Sequence, residues 1–213
     1  KIKETEALCD LIIAQPIAEQ PLLKNFNFDE WEKKSEQILN SEELKLAKKI
    51  LEPLSTLHFP IAFPEVFLNK SNGFNVILGN PPWEVVKVEE KKFWARYFPG
   101  LMGKSQQEYE EFKLKVYQKR PDLVLEYSSE TRKQDLNRKI INSGNYPGIS
   151  TGDIDLYKAF CWRFWHVTSN YLGKIGVVLP RSAFTAKGSA NFRKKLFTTA
   201  KYISVTTLHN TGK

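Results

Sequence analysis

Cysteine is almost missing from this chain of 213 residues, which carries only Cys9 and Cys161. Two thiols far apart in sequence cannot build a disulfide framework, and neither has the paired spacing that holds zinc. Histidine is equally sparse, with His58, His166 and His209 scattered along the chain, so no metal site is expected. No apolar run is long enough to span a bilayer. The first residues also lack the apolar heart of a signal peptide, because Asp10, Gln15 and Glu19 interrupt the stretch. A cytoplasmic protein without membrane contact is expected.

Acidic residues are missing from one region altogether. Between residues 156 and 213 there is no Asp or Glu, while ten of the chain's 32 Lys and Arg lie there, so the last quarter carries the net charge of +8. A like-charged stretch of this kind suits an anionic partner, and a nucleic-acid backbone is the usual one. The other reading, a solvated face balanced by acids elsewhere, stays open. Unlike a basic tail, the stretch is rich in apolar residues and is expected to fold.

Residues 1–55 read as a helical segment. Ala7, Leu8, Leu11 and Ile12 share one apolar face before Pro16 interrupts, and Asp29 and Ser41 are placed to cap two further helices. The second of these carries Leu44, Leu46, Ala47, Ile50 and Leu51. Residues 57–67, punctuated by Pro60 and Pro64, read as an extended or turning segment leading to the turn Ser71-Asn72-Gly73. The apolar run Phe74-Asn75-Val76-Ile77-Leu78-Gly79 then reads as a strand. Residues 84–151 are too long for a plain connection and are taken as an insertion, with helices expected near 89–97, 107–119 and 130–141, broken by Pro99-Gly100 and Pro121. A turn-rich loop, 142–152, is either a lid or a surface loop.

Asp153 is expected to cap a helix running to about Tyr171, closed by Gly173 in a left-handed position. Residues 175–179 read as a strand halted by Pro180, followed by a helix near 190–199 and a β-branched strand at 202–208. Strand, helix, strand, helix, strand predicts an α/β fold with a parallel sheet. Residues 56–213 form its domain in this reading, with 84–151 inserted.

The strand after Gly73 ends in Asn80-Pro81-Pro82-Trp83. Two prolines cannot continue a sheet ladder, so the strand must stop and present a polar group at its carboxyl edge, where open α/β sheets bind ligands. These four residues resemble the Asn-Pro-Pro-aromatic signature of adenine-amino methyltransferases, a resemblance that implies chemistry on an exocyclic amine. Its lone pair is delocalised into the ring, and a site must hold the amino hydrogens so that nitrogen becomes tetrahedral as it attacks. Asn80 offers a side-chain carbonyl and Pro81 a stiffened backbone carbonyl, while Trp83 offers a flat face to a base. Base–aromatic stacking is worth about 1–3 kcal/mol, comparable to what is lost when a base leaves its duplex.

Phe74 to Trp83, then Asp155-Leu156-Tyr157-Lys158-Ala159-Phe160, then Gly173-Lys174-Ile175-Gly176-Val177-Val178-Leu179-Pro180 resemble, in this order, the second half of an adenine-specific DNA methyltransferase of the large restriction-modification and phage-defence type. The resemblance covers about residues 57–213 and is weak before them. It implies the C-terminal half of a Rossmann-like, S-adenosylmethionine-dependent methyltransferase sheet acting on double-stranded DNA. By the same resemblance Asn80, Pro81, Pro82 and Trp83 hold a flipped adenine, and Asp155 and Tyr157 lie beside the cofactor and target pocket. Arg181, Lys187, Arg193, Lys194 and Lys195 are the candidate DNA contacts in the basic stretch.

The pattern also has departures. The family's glycine-rich cofactor loop should precede the Asn-Pro-Pro turn, yet the only glycines before residue 80 are Gly73 and Gly79, both tied to the strand. A piece of a larger enzyme is therefore expected, with cofactor loop and target recognition, and sometimes nuclease or motor, in the rest of the polypeptide, and with no activity of its own. Two other readings stay open. One is an RNA or protein-glutamine methyltransferase, against which the long charged insertion counts, and the other is a non-catalytic nucleic-acid-binding module.

Overall fold

The computed structural model describes residues 2–24, 27, 31–149, 154–201 and 204–208. The proposed caps Asp29 and Asp153, and His209, lie outside them. The N-terminal segment is helical: α1 (Ile2–Ala14), α2 (Trp31–Leu39) and α3 (Glu42–Leu51), with Pro16 opening a 3-10 turn after α1. Ser41 caps α3 as its sequence suggests, its hydroxyl accepting from the Leu44 N–H at 3.2 Å. Ala7, Leu11 and Ala14 of α1 pack against Leu44, Ala47 and Leu51 of α3 in one apolar cluster. The face of α1 is rotated from the expected one, leaving Ile12 exposed and burying Asp10, whose carboxylate meets His58 Nε2 at 2.8 Å. A polar residue can sit there because the imidazole pairs it.

Residues 57–67 are not extended. They form two one-turn helices, α4 (Phe59–Ala62) and α5 (Pro64–Phe67), each with proline in its first turn, where a missing N–H costs nothing. The arrangement brings Phe59, Phe63 and Phe67 around the Phe74 ring, with centroids 6.3, 5.5 and 5.6 Å away. Phe74 is in turn tied to the far side of the fold, its N–H donating to the Val167 carbonyl and its carbonyl accepting from the Ser169 N–H, both at 2.9 Å. Strand β1 (Val76–Gly79) starts from this anchor.

Helix α9 (Leu156–Val167) follows much later in the chain and leads to β2 (Lys174–Val177), which pairs with β1 in parallel, Val76 opposite Lys174 and Gly79 opposite Val177. Among the described residues the fold is thus mixed α/β, mostly helical, with a two-stranded parallel sheet. One face of the sheet lies on α9, where a Cβ on Gly79 would come within 3.0 Å of the Phe164 ring. On the other face Val76, Leu78 and Val178 stay exposed. Asp155, not Asp153, stands at the start of α9, and the helix ends at Val167 rather than near Tyr171, because Thr168 turns away to bridge Phe74. Gly173 does not take a left-handed conformation either. A side chain there would meet Thr168 Cγ2 at 2.2 Å, so close approach is what calls for glycine.

Between Glu84 and Ile149 come α6 (Glu90–Ala95), α7 (Gln106–Lys119) and α8 (Pro121–Ile141). Ser105 and Glu108 form a reciprocal capping box at the start of α7. The third expected helix is longer than predicted, because Pro121 opens α8 at its first turn instead of only breaking what precedes it. Phe93, Trp94, Leu101, Tyr109, Val116 and Leu123 form a core of their own. Arg96 grips Glu130 through two hydrogen bonds of 3.0 and 2.7 Å, and Tyr97 bonds Glu126 beside it. Farther along α8, Leu136 and Ile140 pack on the N-terminal cluster, and Ile141 joins the core around α9.

Through residue 149 the turn-rich loop is anchored. Trp162 Nε1 donates to the Pro147 carbonyl at 2.9 Å, and Ile149 is buried. Gly148 has φ +79°, and a Cβ on it would lie 2.8 Å from the Asn191 carbonyl, so Gly148→Ala meets both left-handed strain and backbone. We expect it to cost about 2 kcal/mol or more, a fall in melting temperature of about 4–8 °C for a chain of this size, whereas Gly103→Ala, with open space around it, should be near neutral. Thermal unfolding followed by circular dichroism checks both, and equal melting temperatures for the two variants would refute the close contact.

After β2 come α10 (Ser182–Thr185) and α11 (Ala190–Thr199), the latter at the expected position. Of the strand expected at 202–208, the described residues 204–208 carry none, and Tyr202 and Ile203 lie outside the described residues.

Candidate functional site

Asn80 directly follows the last paired residue of β1, so its position is set by the ladder, where the Val178 N–H donates to the Gly79 carbonyl at 3.0 Å. Pro81 is buried, while Asn80 and Pro82 are exposed and Trp83 is 51% exposed. The buried proline pins the turn, and its neighbours face outward. Among the described residues nothing hydrogen-bonds the Asn80 side chain, so its carbonyl is available as an acceptor.

The far end of the turn is fixed as well. The Leu156 N–H donates to the Glu84 carbonyl at 2.9 Å and the Val86 N–H to the Ile154 carbonyl at 2.8 Å, an antiparallel bridge between Val85 and Asp155. Segments some seventy residues apart in sequence are thereby joined, with the Asn-Pro-Pro-Trp turn held between β1 and the start of α9. Because β1 and β2 are parallel, residues 178–181 leave the sheet at the same carboxyl edge. The turn, the start of α9 and the exit of β2, which resembled one family in sequence order, thus meet at one edge.

Asp155 and Tyr157, expected beside a cofactor, have other partners. Tyr157 is 1% exposed, its hydroxyl 3.1 Å from that of Ser189 and its ring edge-on to Phe192. Burial raises its pKa above the usual phenol value, so it stays neutral. Asp155 pairs with the buried Lys158 at 2.7 Å. Both side chains thus have partners within the fold.

The basic stretch divides into packed and exposed cations. Lys158 is buried, and Arg163 stacks over the Phe59 ring at 4.9 Å. Arg193 is half-buried, and its Nη1 donates to the Ala186 carbonyl at 2.7 Å and the Ala183 carbonyl at 3.3 Å, tying α11 to α10. Arg181, Lys187, Lys194 and Lys195 are exposed. The charge pattern in the sequence could not tell these roles apart.

Thiol chemistry does not fit the chain. Burial pushes the Cys161 thiol up to about 12, and burial with the nearby Asp10 and Glu6 charges raises that of Cys9. Among the described residues no group of three or more His, Cys, Asp or Glu could hold a metal ion. Nor is any helix there long and apolar enough to cross a membrane.

Residues 7–127, more than half of the chain, match the family model of the Eco57I restriction-modification methylase. The match starts inside α1, in the segment whose resemblance was weak, includes Asn80, Pro81, Pro82 and Trp83, and ends within α8, short of Asp155. No curated protein and no solved structure matches the chain.

Proposed function

Because the chain belongs to the Eco57I restriction-modification methylase family, we propose that it is part of a DNA methyltransferase that places a methyl group from S-adenosylmethionine on the exocyclic amino group of an adenine turned out of double-stranded DNA. The observation that carries this reading is the uncommitted Asn80 side chain at the carboxyl end of β1, between a buried Pro81 and a half-exposed Trp83. An acceptor pair and a flat apolar face at one strand end suit a planar base bearing an amino group. Asn80 and the Pro81 carbonyl accept the two amino hydrogens, and Trp83 stacks on the ring. The exposed cations Arg181, Lys187, Lys194 and Lys195 hold the phosphate backbone. In this reading residues 56–213 belong to the catalytic domain, with 84–151 inserted, and the main cofactor loop and target recognition come from other parts of the polypeptide.

The test is the chemical identity of the product. The full-length protein is incubated with methyl-labelled S-adenosylmethionine and unmethylated genomic DNA, and the DNA is digested to nucleosides. Label in N6-methyladenine is expected. Label in a cytosine product overturns the adenine assignment, and label in RNA or protein but not DNA overturns the substrate.

A further inference from the structure

We propose that the ion pair between Lys158 and Asp155 is a clamp that sets the position of the Asn80-Pro81-Pro82-Trp83 turn, making Lys158 a positioning residue for that site; its functional meaning rests on the reading above. Lys158 is 2% exposed, and its ammonium lies 2.7 Å from Asp155 Oδ2 and 5.7 Å from the centre of the Tyr157 ring. A cation in the first turn of a helix faces the positive end of the helix dipole, and burial adds desolvation. Lysine is thus poorly suited to this place unless its partner needs it.

Asp155, for its part, stands at the N-cap of α9 yet makes no side-chain cap hydrogen bond. Its carboxylate is given to Lys158 instead of to its own helix end. What this holds is the backbone on either side of Asp155, which carries both hydrogen bonds to residues 84 and 86. The other end of the turn is fixed through Gly79 and Val178. Between the two ties only Asn80, Pro81, Pro82 and Trp83 remain, and two prolines leave them little backbone freedom. Displacement of Asp155 is therefore passed on to Trp83.

Two variants test the clamp, Asp155→Asn and the double Asp155→Asn/Lys158→Met. The double variant removes both charges together, so no unpaired charge is left buried. Two signals are read in the 213-residue chain: amide hydrogen exchange at Val86 and Leu156 relative to Val178, and the fluorine resonance of Trp83 in protein labelled with 5-fluorotryptophan, assigned with Trp83→Phe. Exchange at Val86 and Leu156 is expected to accelerate about tenfold or more over Val178, with the Trp83 resonance shifted or broadened, while the melting temperature of the double variant stays close to that of the parent. An unchanged exchange ratio with an unchanged Trp83 resonance overturns the clamp, as does acceleration that is equal at Val178. Should the double variant lose its fold, Asp155→Asn decides by the same two signals. In the full-length protein the variants are expected to lower kcat for methyl transfer about tenfold with KM for DNA unchanged. Signals that move while kcat does not would leave the clamp standing and overturn the reading of the site.

Discussion

Asn80→Ala is expected to slow methyl transfer by the full-length protein roughly 10²–10³-fold, equivalent to about 2.7–4 kcal/mol of transition-state stabilisation. The effect is large because the amino nitrogen must gain tetrahedral character, and its hydrogens are then better donors than in the resting base. An acceptor fixed at the end of β1 becomes more valuable as the reaction proceeds, which is the condition for raising rate rather than affinity alone. Loss should therefore fall on kcat, with DNA binding little changed. Asn80→Asp keeps an oxygen acceptor and should lose much less. Single-turnover kinetics on duplex DNA measures the step itself. Near-parent rates for Asn80→Ala would remove Asn80 from the site.

Replacing Arg181, Lys187, Lys194 and Lys195 with Gln is expected to flatten the salt dependence of DNA binding. Each lost phosphate contact lowers the slope of log affinity against log salt by about 0.9, so four lower it by up to about 3.6. Between 50 and 200 mM salt the parent would then lose roughly two more orders of magnitude of affinity than the variant. Arg193→Gln should behave differently, since its guanidinium serves the Ala183 and Ala186 carbonyls between α10 and α11. It should lower thermal stability and leave the slope alone. Fluorescence anisotropy over a salt series separates the two, and a parent-like slope in the fourfold variant rules this face out as the DNA contact.

Local chemistry was legible where it had no competitor. Ser41 caps α3, the strand before Asn80 stops at Gly79, and α11 spans its predicted residues. Proline was harder to read, because the same residue ends one element and begins the next. Pro60, Pro64 and Pro121 all lie in the first turn of a helix, although they looked like interruptions. The residue types of the Asn80 turn could be read from the sequence, but not how the fold holds the turn. Nothing in residues 84–86 announces their pairing with 154–156, because a short bridge carries no periodicity. The charge run pointed to a basic face without revealing that Lys158, Arg163 and Arg193 are spent inside the fold. The N-terminal helices showed only a weak resemblance, yet the family match begins among them.

The reach of α8 bears on how the chain unfolds. At 1.5 Å per residue its 21 residues make a strut of about 31 Å. It carries Leu123 in the cluster of Phe93 and Trp94, Leu136 and Ile140 against the N-terminal helices, and Ile141 in the core beneath the sheet. Three apolar clusters that share one rigid rod cannot melt independently without fraying or breaking it. Helix α8 is thus a mechanical tie between the N-terminal helices and the core around α9, and shortening it would cost cooperativity before it cost any contact at the Asn80 turn.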